Sequence, residues 1–169
     1  MPTPAPNLLT LLFSALILGI GATLVMDLTA LVRKRVLGIS GLDYALLGRW
    51  LGHLPRGRLI HRPIAQSPQI PSERALGWAL HYVTGIAFAA LFLWLVTPGW
   101  LAAPTPLPAL GFGLLTLAAP FLLLQPCLGA GLAARNTPAP WIARRRSAVS
   151  HLSFGAGLWL TGLAMTLPG

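Results

Sequence analysis

Residues 8–35, LLTLLFSALILGIGATLVMDLTALVRKR, decide how this chain folds. From Leu8 to Val32 the run holds one ionisable side chain, Asp27, and three consecutive cations, Arg33, Lys34 and Arg35, close it. At about 1.5 Å of helical rise per residue, such a run crosses a hydrocarbon core of about 30 Å with some tilt. The reading is a membrane-spanning helix over 8–32. Residues 1–6 carry no Lys or Arg, and the apolar run is about twice the core of a secretory signal, so the helix is expected to be retained. Because the cations follow the span, the positive-inside rule puts the N-terminus outside and the next loop in the cytoplasm.

The rest of the chain repeats the pattern. All twelve Lys and Arg residues fall within 33–74 and 135–146, and apolar stretches over 75–96, 107–128 and 148–167 complete a set of four spans. Pro120 and Pro126 lie inside the third, which predicts a kink or break near its inner end. The uncharged link 97–105, with Trp100, suits a short periplasmic turn at the aromatic belt. The expected fold is an all-α integral membrane protein: one four-helix transmembrane domain over 1–169, in the bacterial inner membrane, with both termini periplasmic.

Composition agrees and excludes other classes. The chain is 55% hydrophobic and 9% charged, against roughly a quarter charged in an average soluble domain. A formal charge of +9 would suggest nucleic acid in a soluble protein. Here it is confined to loops, so no nucleic-acid partner is expected; the partners are the bilayer and anionic headgroups at its cytoplasmic face. The lone Cys127 rules out a disulfide within the chain and reads as a small buried hydrophobe. At 17.9 kDa the chain is small for a solitary transporter, and its small-residue helix faces suggest a homo-oligomer.

The loop 33–74 is long enough to have structure of its own. Ser40-Gly41-Leu42-Asp43 has capping-box spacing, and Leu42, Leu46, Trp50 and Leu54 recur every four residues. That predicts a short interfacial amphipathic helix, with Tyr44 and Trp50 at the headgroups and Arg49 and Arg56 facing anionic lipid. Residues 55–71 make an irregular return, with His53 and His61 exposed to solvent.

An internal repeat is also legible. Gly19-Ile20-Gly21 is echoed by Gly111-Phe112-Gly113, and His81-Tyr82-Val83-Thr84-Gly85 by His151-Leu152-Ser153-Phe154-Gly155. Each helical hairpin then carries one Gly-x-Gly and one His-x-x-x-Gly, as in a parallel repeat.

Three acids in the whole chain make each one conspicuous. Asp27, His81 and His151 lie at similar distances from the basic flanks, roughly 8 to 10 Å at helical rise, and Gln125 occupies the matching end of the third span. Stripes at i+4 join Gly19, Thr23 and Asp27; Glu73, Gly77, His81 and Gly85; and Ser147, His151 and Gly155. An ionisable group inside a span costs about 2.5 to 3.5 kcal/mol on insertion scales and marks a functional candidate. Asp27, Glu73, His81 and His151 are therefore expected to bind a proton, small cation or metal, with Arg49 and Gln125 beside them and Asp27, His81 and His151 as the metal set. No feature identifies a cofactor. Other readings stay open: a haem- or metal-dependent membrane enzyme; an enzyme acting on a lipid headgroup held by Arg49, Arg56, Arg58 and Arg62; or a structural protein whose polar layer only locks the bundle. No Gly-x-Ser-x-Gly, His-Glu-x-x-His or Cys-x-x-Cys occurs, which argues against an enzyme of those types.

Gly21-Ala22-Thr23 with Met26-Asp27, Gly48-Arg49-Trp50, Gly77-Trp78 with His81-Tyr82, Gln125-Pro126 with Gly129-Ala130-Gly131, Thr137-Pro138, and His151 with Phe154-Gly155 together carry a resemblance. In that order they resemble a bacterial family of small inner-membrane proteins, domain-of-unknown-function family 2938. The resemblance spans nearly the whole chain. It implies an inner-membrane location and carries no catalytic or ligand residues with it.

Overall fold

The computed structural model describes residues 7–96 and 98–167. The uncharged tail 1–6 and the first residue of the 97–105 link lie outside that range. Among the described residues every regular element is helical, and four helical stretches, Leu8–Leu37, Glu73–Leu95, Pro106–Leu128 and Pro140–Thr166, are long and apolar enough to cross a membrane.

Helix α1 (Leu8–Leu37) starts on Asn7, whose side chain accepts the Thr10 N–H at 2.8 Å, and stops at Gly38, whose positive φ of 66° no continuing helix tolerates. It runs past Val32 because Lys34 and Arg35 suit the negative end of the helix dipole. A short helix α2 (Tyr44–His53) follows, capped by Asp43, which accepts the Ala45 N–H at 3.0 Å. Helix α3 (Glu73–Leu95) forms the second span. The third is broken, as its prolines predict. Helix α4 (Pro106–Leu115) gives way to a wide π-helical turn, Ala119–Leu124, which begins beside Pro120, and then to the single turn α5 (Gln125–Leu128). Proline lacks the N–H that would continue the ladder, so the carbonyls re-pair in a different register. Helix α6 (Pro140–Thr166) begins well before Ala148, with proline at its first position and Arg144, Arg145 and Arg146 already helical.

The short helix expected after Asp43 forms, and one face of it packs on α3. Ala45, Leu47, Gly48, Arg49 and His53 are buried, while Leu42 of the expected apolar stripe is 48% exposed. Two glycines permit the close approach: a Cβ on Gly48 would collide with the Glu73 carbonyl, and one on Gly77 with the Tyr44 carbonyl. Trp100, expected at the aromatic belt, is covered by the protein itself. It is buried, with Nε1 donating to the Thr105 carbonyl at 3.1 Å.

Helix α1 packs on α3 and α6, and α6 packs on α4. Gly19 of α1 abuts Ile86 and Gly85 of α3; in the second hairpin it is Gly113 of α4, not Gly111, the counterpart of Gly19 in the expected repeat, that abuts Gly155 of α6. Leu18, Ala22, Ala89, Phe92, Trp100, Ala109, Phe112, Phe154 and Leu158 form one apolar cluster toward the end away from the arginines. Its aromatic rings interlock, Phe92 standing 4.7 Å from Trp100 and 5.3 Å from Phe112 between centroids. Many apolar side chains point outward instead, Leu9 and Trp94 being 77% and 79% exposed. That is the surface a lipid-facing helix presents.

Gly111 and Gly113 share a helix but not a neighbourhood. A Cβ at Gly111 meets nothing within 4 Å, whereas one at Gly113 lies 2.8 Å from the Gly155 Cα. Gly111→Ala is expected to stabilise the protein by about 0.5–1 kcal/mol through the helix-propensity gain, and Gly113→Ala to destabilise it by about 1–3 kcal/mol through overpacking. Thermal unfolding of the two variants in detergent checks the opposite signs.

Candidate functional site

Asp27 is the hub of a four-residue cluster contributed by three helices. Its Oδ1 lies 3.0 Å from His81 Nε2 and accepts from the Tyr44 hydroxyl at 3.2 Å. Its Oδ2 accepts from the Tyr82 hydroxyl at 3.1 Å. The Tyr44 hydroxyl is also 2.9 Å from His81 Nε2, and the two rings stack with centroids 4.3 Å apart. Trp78 also packs against Tyr44, with ring centroids 4.4 Å apart. Burial, reinforced by the Asp27 charge, raises the Tyr44 phenol well above its ordinary range. Its hydroxyl therefore stays protonated and keeps donating. Tyr44 is thus drawn inward, away from the headgroup position expected from its helix.

This cluster forms part of the wall of a cavity of about 1070 Å³. One side is built by α1 and α3, the other by residues 119–128 and α6. Phe88 and Phe154, 6.2 Å apart and edge to face, close it toward the apolar cluster. At the opposite end Arg33, Lys34, Arg74 and Arg146 line it. The lining follows the break in the third span: residues of the π turn and α5 line it together with α6.

The remaining expected site residues divide. His151 lies on the cavity wall, with Nδ1 2.7 Å from Thr116 Oγ1. That hydroxyl donates to the Gly113 carbonyl at 2.6 Å, so the Thr116–His151 bond takes its proton from Nδ1 and leaves Nε2 as an acceptor. Each histidine thus bonds to the first span of its own hairpin, His81 to Asp27 and His151 to Thr116. Gln125 also reaches the cavity; its Nε2 donates to Ser147 Oγ at 3.3 Å, while its buried Oε1 has no partner among the described residues. Among the described residues no group of three or more His, Cys, Asp and Glu side chains is placed to hold a metal ion. Asp27, His81 and His151 share a cavity without forming a common first shell.

Glu73 and Arg49 are engaged with each other, outside the cavity lining. Arg49 Nε and Nη2 donate to the two Glu73 carboxylate oxygens, both at 2.8 Å, and Nη1 reaches the Ala65 and Ser67 carbonyls at 3.1 and 3.3 Å. Hydrogen bonding to Glu73 raises the guanidinium further above its ordinary range. The arrangement clasps α2, the start of α3 and the return segment together, so Arg49 is withdrawn from the anionic lipid it was expected to meet. His53 and His61 are likewise buried, contrary to their expected exposure. His53 Nε2 lies 2.9 Å from the Pro68 carbonyl, and the His61 N–H donates to the Cys127 carbonyl at 2.9 Å, which pins the return segment to α5.

Sequence reasoning missed Tyr82, Thr116 and the inward course of Tyr44. The available signal was the Tyr44-Gly48 spacing, which sets a ring and a close-approach glycine on one face of α2, opposite the Gly77-His81 stripe of α3.

Removing one member of the Arg49–Glu73 pair leaves a buried charge without its partner. Glu73→Leu alone is expected to lose about 3–5 kcal/mol of stability, and Arg49→Met with Glu73→Leu to recover most of it; unfolding midpoints of the single and double variants decide. His61 supplies a pH signature. Burial, aided by the neighbouring His53, lowers its pKa from the ordinary 6.5. Below that pH the unfolded segment binds a proton that the folded one resists, so the local stability present above about 6.5 is lost as the pH falls. Hydrogen exchange in residues 57–66, corrected for intrinsic rates, should accelerate as pH drops below that value, and His61→Gln should remove the acceleration.

Comparison with curated proteins finds no match, and neither does comparison with solved structures. A family model described as protein of unknown function (DUF2938) matches residues 16–165. With nearly the whole chain covered, from α1 to the end of α6, the protein belongs to that family.

Proposed function

We propose that this is a multi-pass inner-membrane protein with both termini periplasmic, whose cavity opens to the cytoplasm and carries a proton-exchanging site at Asp27 and His81 in a transport or binding role. The orientation rests on the cations: Arg33, Lys34, Arg74 and Arg146 share one end of the cavity, and basic loops are retained on the cytoplasmic side. The single observation that carries the functional reading is the Asp27 carboxylate, held by His81, Tyr44 and Tyr82 on a cavity wall.

The chemistry favours a proton over a bare cation. Both tyrosine hydroxyls present hydrogens to the carboxylate, and those positive ends repel a metal where its lone pairs would be needed. A proton instead moves within an existing hydrogen bond. The triangle of Asp27 Oδ1, Tyr44 hydroxyl and His81 Nε2, with edges of 3.0, 3.2 and 2.9 Å, offers such bonds. His151, across the cavity, supplies a second acceptor. Histidine is the side chain whose ordinary titration lies near neutral pH, which suits it to relay work.

Vesicles containing the purified protein and an internal pH dye test this. After an external acid pulse, the wild type is expected to acidify the lumen faster than protein-free vesicles, and Asp27→Asn to fall to the protein-free rate while keeping its helical circular dichroism. Equal rates for Asp27→Asn and wild type, or a wild type no faster than empty vesicles, would remove the proton reading.

A further inference from the structure

We propose that the cavity accepts a membrane lipid with a phosphate headgroup, the phosphate among Arg33, Lys34, Arg74 and Arg146 and the hydrocarbon chain along the inner wall toward Phe88 and Phe154. The inference deepens the cavity reading above, on which it rests for an open cytoplasmic end.

Charge comes first. The chain has three side-chain carboxylates. Glu73 is taken by Arg49, Asp27 by His81, and Asp43 caps α2. Asp43 is the one acid near the rim, so the four rim cations exceed the carboxylates available to them. A phosphate diester or monoester supplies the missing negative charge and accepts several charge-assisted hydrogen bonds at once.

Size and wall chemistry then separate a lipid from a free anion. A volume of about 1070 Å³ lies at the upper end of sites that enclose ligands of drug size, far beyond what inorganic phosphate fills. The walls below the rim change character: Leu31, Leu123, Leu124 and Phe88 line them. Leu123 lines the cavity and is 57% exposed, and the neighbouring Leu122, 67% exposed, lies outside the lining. The wall there, on the bent third span, is therefore continuous with the surface that acyl chains would cover, and a lipid chain can enter sideways without leaving hydrocarbon.

The basic end as a whole attracts anionic lipid, so the control must sit at the same membrane depth. Arg35 and Arg145 adjoin Lys34 and Arg146 in sequence but do not line the cavity. Protein in a neutral detergent is titrated with phosphatidylglycerol, phosphatidylcholine or inorganic phosphate and followed by native mass spectrometry. The expected result is one phosphatidylglycerol retained per chain, weakened at least tenfold by Lys34→Gln with Arg146→Gln and unchanged by Arg35→Gln with Arg145→Gln. Ser150→Trp, which fills the cavity from α6, should also displace it, with circular dichroism showing that the helices persist. Equal loss in the two double variants would mean surface attraction alone and would overturn the proposal. So would inorganic phosphate binding as tightly as the lipid, which would make the ligand a free anion. Asp27→Asn is expected to retain the lipid while losing proton entry, so failure of lipid binding leaves the proton reading standing, and the reverse holds as well.

Discussion

Ionised side chains have no stable place in hydrocarbon unless paired, and that exclusion governs how this chain can fold. Twelve cations and three acids leave few arrangements: the cations gather at one end of the helices, and each acid is committed locally. Glu73 fixes Arg49, Asp43 starts α2, and Asp27 collects one histidine and two phenols. Where they are buried in the protein, around Asp27 and Glu73, these hydrogen bonds are strong, and an unsatisfied group would be correspondingly costly. The polar cluster therefore holds α1, α2 and α3 together as well as presenting a carboxylate to the cavity.

The opposite end is organised by shape. Glycine contacts bring α1 against α3 and α4 against α6, and Phe92, Trp100 and Phe112 fill the space between the hairpins. Close packing persists until Phe88 and Phe154. Beyond them the cavity begins, lined on one side by the π turn of the third span. Prolines interrupt that span and not the first. The glycine and histidine motifs shared by the two hairpins are used differently: Gly19 makes a close helix contact where its counterpart Gly111 makes none, and His81 meets a carboxylate where His151 meets a threonine hydroxyl.

Most of the fold was legible in sequence because hydrophobic length and charge position are strong, local signals. The four long helices, the break near Pro120 and the glycine stripes all follow from residues read in order. The bounds moved at α1 and α6 because cations and a leading proline are compatible with helical ends, which hydropathy alone treats as loop. The site was legible in part. Asp27, His81 and His151 declare themselves by being ionisable at depth, but their partners do not: Tyr44 lies in a segment whose amphipathic spacing points equally to a membrane surface and to a neighbouring helix. Tertiary contact engages one face of it, through Gly48 and Gly77, and turns Tyr44 to Asp27. The same effect hid His53, His61 and Trp100, each buried by a segment distant in sequence.

The proposed proton site depends on a cavity that meets the aqueous phase at the basic end and reaches the Asp27 cluster. Its most direct measurement uses a Cys127→Ala background carrying Thr84→Cys or Ser150→Cys, on opposite cavity walls, treated with a membrane-impermeant maleimide from either side of sealed vesicles. Both cysteines should react only from the face on which Arg35→Cys reacts. Labelling from the other face, or from neither, would contradict the account.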